Sequence, residues 1–94
     1  MELGKVRGQV VSTVRDQGLP NLTFLLVDIV DEKGNVTFPS QVAADAIGAG
    51  EGELVLLVRG SSARLIREGK TPLDLSVIGI VDQITTGKEA VYTK

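Results

Sequence analysis

The sequence has no cysteine and no histidine. The first absence excludes disulfides and thiolate metal sites. The second removes the commonest general base and the commonest metal ligand. Aromatic residues are almost missing too, with only Phe24, Phe38 and Tyr92. Binding of single-stranded nucleic acid needs a basic groove with aromatic stacking platforms. Here the net charge is −2, from ten basic and twelve acidic residues, with no run of one sign. The expectation is therefore no nucleic-acid partner. No apolar run reaches membrane-spanning length and no signal peptide is evident, which predicts a cytosolic chain without a membrane partner. In that compartment the sequons Asn21-Leu22-Thr23 and Asn35-Val36-Thr37 are chance occurrences.

What is present is aliphatic. Hydrophobic residues reach 43%, nearly all of them Val, Ile, Leu and Ala. A 94-residue chain forms one domain, residues 1–94, with a single core and a net stability of only several kcal/mol. This is more apolar material than a small barrel needs, and partner subunits are expected to cover the excess.

Alternating apolar positions predict a strand over residues 3–14, with Val6, Gly8, Val10, Ser12 and Val14 on one face. Gly4 and Gly8 suit a strand that bends around a barrel. A Gly- and Pro-containing turn follows at residues 16–21. Residues 22–30 form a second strand, apolar on both faces, with one face assigned to the barrel interior and the other to a neighbouring subunit. Residues 31–35 make a hairpin loop. The return strand is interrupted at Pro39, which fits an edge or a bulge, and resumes over residues 41–47. A glycine-rich corner leads to the most apolar strand, residues 54–58, which Gly60 ends. Ser61 or Ser62 is placed to cap a short helix running to about Glu68, with Gly69 as its stop. Residues 75–84 form a further strand, with Val77 and Ile80 on opposite faces. A turn at residues 85–88 leads into a last short strand. The fold class predicted is all-β with one short helix, closed into an OB-like small barrel.

Several segments invite chemistry. Gly48-Ala49-Gly50-Glu51-Gly52 looks like a phosphate loop. No Gly-Lys-Ser/Thr follows, the next element is a strand, and Glu51 and Glu53 repel anions, so a tight corner is expected. Gly60-Ser61-Ser62-Ala63-Arg64 offers a helix start to an anion, but helix capping by the serines and pairing of Arg64 account for it as well. Neither Ser61 nor Ser62 has a histidine to activate it, and nothing places Lys70 or Lys88 as a base. The carboxylates Asp28, Asp31, Glu32, Asp45, Asp74 and Asp82 show no ligand spacing and are read as structural. Asp45 and Asp82 lie in apolar strands and need partners if buried, with Arg59 or Arg64 expected. No catalytic residue, cofactor site or metal site is assigned.

The chain resembles the EutN/CcmL family of bacterial microcompartment vertex proteins. The matching segments are Leu3-Gly4-Lys5-Val6 with Val10-Val11-Ser12-Thr13, Leu25-Leu26-Val27, Ala43-Ala44-Asp45-Ala46-Ile47-Gly48-Ala49-Gly50, Gly60-Ser61-Ser62-Ala63-Arg64, and Pro72-Leu73-Asp74 running into Ile78-Gly79-Ile80-Val81-Asp82. Their order and spacing hold over residues 1–84, leaving residues 85–94 as a C-terminal extension. The resemblance implies an OB-like barrel, a homopentameric ring, and a structural, non-enzymatic role at shell vertices beside hexameric shell proteins. It places the protein in the cytoplasm, in the shell of a carboxysome-like or catabolic compartment.

A closed ring needs a head-to-tail interface between two different surfaces. The expected interface residues are Asp45, Ala46, Gly48, Ala49, Gly50, Arg59, Arg64 and Asp74. Gly60, Ser61, Ser62 and Ala63 are expected to line an axial opening. Three other readings compete. An OB-fold module for nucleic acid or another ligand is opposed by charge and aromatic content. A ring-shaped cochaperonin needs a long apolar mobile loop, and residues 15–21 are short and polar. A small enzyme is opposed by the missing His and Cys.

Overall fold

The structure is a computed structural model that describes residues 1–12, 23–60 and 74–94. Five strands close a barrel: β1 (Glu2–Val10), β2 (Thr23–Val30), β3 (Val36–Asp45), β4 (Leu54–Arg59) and β5 (Leu75–Ile80). Their order around the barrel is β1-β2-β3-β5-β4, and β1 pairs with β4 to complete the circuit. Four of the seams are antiparallel. The fifth, between β3 and β5, is parallel and joins only Ala44 to Ser76 and Asp45 to Val77. A separate hairpin follows, made of β6 (Gln83–Thr86) and β7 (Glu89–Thr93). The described residues thus form the small β-barrel that the strand pattern predicts. The expected helix over residues 61–68 lies outside the described residues.

The interior is filled by alternate residues of each strand, as the two-residue period requires. Leu25, Val27 and Ile29 of β2 meet Val55 and Leu57 of β4 and Leu75 and Val77 of β5. Val27, Val55 and Leu57 are wholly inaccessible to solvent. The barrel is narrow, and this explains the small residues. Ala43 and Ala49 belong to the same core, and Gly4 sits where an added Cβ would lie 2.5 Å from Leu57 Cδ1. Gly4 serves close packing rather than strand bending.

Bulges set which side chains face inward, and three of the four register shifts in the barrel account for most departures from the sequence pattern. The first lies in β1 at Arg7: Val6 pairs with Val27 and Gly8 with Leu26. The extra residue turns Val10 to the opposite face from Val6, where it joins Phe24 and Ala44 in a second small cluster. Val6 and Val10 therefore do not share a face. The strand ends at Val10 rather than 14, and Val11 and Ser12 are exposed. The second bulge lies in β5 at Ile78: Leu57 pairs with Val77 and Leu56 with Gly79. Val77 and Ile80 consequently both pack on the core, not on opposite faces. The third lies in β3 at Pro39–Ser40, where Val27 pairs with Gln41 and Ile29 with Phe38. The strand bulges through Pro39 instead of breaking there. Ser40 takes a left-handed φ of 57°, and its N–H donates to Asp28 Oδ1 at 2.9 Å. Asp28 is buried and also has Arg7 Nε at 3.6 Å from Oδ2.

Two further boundaries move. Residues 75–84 are not one strand. β5 stops at Ile80, Val81 N–H donates to the Leu54 carbonyl, and the chain leaves the barrel for β6. The outer face of β2, expected to meet a neighbour, is largely covered within the chain: Phe24, Asp28 and Val30 are buried and Leu26 is half-buried. Between β2 and β3, Asp31 Oδ1 accepts from the N–H groups of Lys33 and Asn35, and Gly34 supplies a φ of 87°. The Asn35 amide is the main cause that holds the Asp31 carboxyl below its ordinary value.

Replacing Gly4 by Ala is expected to destabilise the protein by about 1–3 kcal/mol, because the wholly buried Leu57 would have to shift away from the new Cβ. Urea unfolding measures this, and an unchanged midpoint would count against such tight packing at Gly4.

Candidate functional site

The glycine-rich corner after β3 is organised by one carboxylate. Asp45 is buried, with 4% of its surface exposed. Its Oδ1 accepts from the Ile47 N–H at 2.9 Å, and its Oδ2 from the Ala49 N–H at 2.8 Å. The Gly48 N–H reaches both oxygens, at 3.2 and 3.3 Å. The next amide, Gly50 N–H, donates to Glu53 Oε1 at 2.6 Å. Four consecutive amides thus turn inward on two carboxylates of the same chain. A run of amides like this is a concavity for anions. Here the carboxylates of Asp45 and Glu53 already occupy it.

Of the two arginines expected as partners for Asp45, Arg59 is engaged elsewhere, and the structure corrects that choice. The partners of Asp45 are backbone amides. Arg59 Nε instead donates to Glu2 Oε2 at 2.6 Å, across the β1–β4 seam. Asp82 is exposed and stands 3.9 Å from Lys94 Nζ. Arg64 lies outside the described residues.

The other expected site residues separate into two regions. At the corner, Ala46, Gly48 and Gly50 are exposed, beside an exposed Ile47. Ala49 is buried within the chain itself, so its small size is accounted for without a neighbour. At the far end of β4, Gly60 has a φ of 64°, and its N–H donates to the Asp74 carbonyl at 2.9 Å. Both Gly60 and Asp74 are exposed. Ser61, Ser62 and Ala63 lie outside the described residues, as does Lys70. Lys88 stands exposed in the β6–β7 turn.

No stacking surface for nucleic acid is assembled from the aromatics. Phe24 is buried against Ala44 on the outer face of the barrel, and Phe38 and Tyr92 stand on β3 and β7. Among the described residues, no three acidic side chains come together as a metal site.

Two surface features were not singled out from the sequence. One is a set of exposed apolar side chains on β3: Val36, Phe38 and Val42 are 53%, 59% and 49% exposed. The signal available was Pro39, whose missing N–H marks an unpaired edge. The other is the anchorage of the terminal hairpin. Lys94 N–H donates to the Asp82 carbonyl at 2.8 Å, and Lys94 Nζ donates to Glu53 Oε2 at 2.6 Å. The hairpin and the β2–β3 turn enclose a cleft of about 260 Å³, lined by Lys5, Lys33, Val91 and Tyr92 among others.

A family profile described as "Ethanolamine utilisation protein EutN/carboxysome" matches residues 1–82. The chain belongs to the EutN/CcmL family. The bacterial microcompartment shell vertex protein EutN of Salmonella typhimurium is 50% identical over 95 residues, covering 100% of this chain and 96% of that protein. A solved structure of the ethanolamine utilization protein EutN has a TM-score of 0.92 at 47% identity, covering 100% of this chain and 99% of the other. GrpN, a pentameric microcompartment shell protein from Rhodospirillum rubrum, has a TM-score of 0.83 at 41% identity, covering 93% and 100%. Like other EutN/CcmL members, the chain is a structural vertex protein of a bacterial microcompartment shell and not an enzyme.

Two outcomes test the corner. Asp45→Ala leaves the buried Ala49 N–H without an acceptor and is expected to cost about 1–3 kcal/mol, with Asp45→Asn costing less because one oxygen remains. Chemical denaturation of the two variants checks the ranking. The Glu53–Lys94 contact gives a pH window. The Lys94 ammonium, with the Gly50 N–H, holds the Glu53 carboxyl below its ordinary 4.5. That contribution is present above 4.5 and is lost as pH falls through the lowered value. Hydrogen bonding to Glu53 raises Lys94 above 10.5, so its contribution is lost only as pH rises through the raised value. The hairpin is expected to stay docked from about pH 4.5 to 10.5 and to loosen only beyond those limits, as Glu53 protonates below its lowered value or Lys94 deprotonates above its raised one. NMR shifts of Tyr92 and Lys94 follow it, and Lys94→Met should flatten the profile.

Proposed function

We propose that this chain closes into a homopentamer that caps the vertices of a polyhedral microcompartment shell, seated among hexameric shell proteins. The observation that carries the reading is the match along the whole chain to vertex proteins, one solved relative being pentameric. A flat sheet of hexamers has no curvature, and a five-membered unit at each corner supplies it. Head-to-tail contacts close a ring when each subunit turns by one fifth of a circle.

The corner and the β4 end are the two regions assigned to this assembly. Ala46, Gly48 and Gly50 present a small-residue surface that lets a neighbouring backbone approach, and Asp45 and Ala49 hold that surface in shape. Gly60, Ser61, Ser62 and Ala63 line the axial opening. Arg59, Arg64 and Asp74 set the register between subunits, since opposed charges fix orientation more than affinity. Arg59 does so with its Glu2 contact in place, as its side chain is still 41% exposed.

Light scattering should give about five times the 9.9 kDa chain mass. Co-expression with hexameric shell proteins should give closed polyhedra only when this chain is present. A stable monomer at micromolar concentration, or closed shells of unchanged shape without the chain, would remove the capping role.

A further inference from the structure

The terminal hairpin is tied to the barrel at its base. Lys94 makes the tie, through its N–H to the Asp82 carbonyl and its ammonium to Glu53. Beyond the base, β6 and β7 pair with each other and with no described strand of the barrel. The hairpin and the barrel part there around the cleft of about 260 Å³. That volume is just below the range of about 300–1,000 Å³ usual for small-molecule sites.

The walls of the cleft differ in chemistry. Val91 and Tyr92 of the hairpin and Leu54 of β4 supply apolar and aromatic surface. Lys5 of β1 and Lys33 of the β2–β3 turn bring two positive charges, against the single carboxylate of Glu32. Strand alternation sets Lys5 on the outer face of β1, beside the inward Val6 and opposite Leu54 in register. Both lysines are exposed, and neither ammonium forms an ion pair with another described residue. The carboxylate of Asp31, next to this turn, is engaged by its own loop, where it accepts from the Lys33 and Asn35 N–H groups. Two lysines beside one carboxylate favour an anion, and a wall of Val, Leu and Tyr favours an organic one. The pentameric reading assigns no role to Lys5, Lys33 or Tyr92.

We propose that this cleft binds a small organic anion, a carboxylate or a phosphate ester with a compact apolar body. The anionic group sits between Lys5 and Lys33, and the apolar body lies against Val91 and Tyr92. Such an occupant touches the barrel and the hairpin at once. It adds a second tie to the one that Lys94 makes, and so holds the hairpin docked. The proposal goes beyond the vertex role by giving the chain a ligand as well as a place in a shell.

The test uses the full chain in its assembled state, with benzoate and phenyl phosphate as probes. Amide NMR shifts at Gly34, Gly52, Val91 and Tyr92 should saturate with a Kd on the order of 1 mM. Inorganic phosphate lacks the apolar body and benzylamine reverses the charge, so each should bind at least about tenfold more weakly. Lys5→Gln and Lys33→Gln should each weaken the tighter probe at least about threefold, and together about tenfold, with the mass in light scattering unchanged. At about ten times Kd, hydrogen exchange of the β6 and β7 amides should slow about tenfold. Tighter benzoate assigns a carboxylate ligand, and tighter phenyl phosphate assigns a phosphate ester; either supports the site. Shifts that never saturate, shifts that survive the double lysine change, or equal binding of inorganic phosphate or benzylamine would overturn it. Ring mass is read in the same samples, so the ligand site can fail while the pentameric reading stands.

Discussion

The barrel depends on the lock that Asp45 makes at the end of β3. The carboxylate gathers the amides of Ile47, Gly48 and Ala49, and the chain reverses there. It then returns onto β1: Gly52 N–H donates to the Val6 carbonyl, and Val6 N–H donates to the Glu53 carbonyl. These contacts meet at the β1 bulge, so one corner sets the end of β3, the kink in β1 and the start of β4. The parallel seam between β3 and β5 is two residue pairs long and starts at the same corner. A closed barrel with so short a seam needs its neighbouring corner to be rigid, and among the described residues the buried charge is satisfied by backbone N–H groups.

A self-satisfied corner also leaves none of the amides of residues 47–50 free for an outside anion. A loop of amides that ends a strand elsewhere in proteins attracts phosphate. Here the acceptors are built in, and the glycines serve the turn, with Gly48 and Gly52 both at positive φ. The same economy shows in the core. Alanines at 43 and 49 are small because the barrel is narrow and a larger side chain has no place inside. What the fold exposes is the uncharged kinked edge of β3 and a hairpin attached by its base, and both are features of a part that is fitted against other parts.

Much of this was legible in the chain itself. The alternation of Leu25, Val27 and Ile29, and of Val55 and Leu57, marks strands with one face inward, and Gly34, Gly60 and Gly87 mark where strands end. The absence of histidine and cysteine, with so few aromatics, removed most catalytic and nucleic-acid readings. The ordered motifs from Leu3 to Asp82 carried the family.

Tertiary structure decided the faces and the partners. A bulge adds one residue to one strand only, so it leaves no trace in a two-residue period until the opposite strand is known. That is why Val10, Val77 and Ile80 fall on faces the pattern does not give. The partner of a buried charge is equally a matter of what the fold brings near. Asp45 finds amides two to four residues away, and Arg59 finds Glu2 across a seam between distant strands. The sequence determined the strands, the turns and the family through local periodicity and spacing. The inward faces, the filled corner and the bare edge of β3 are non-local, and only the closed barrel decided them.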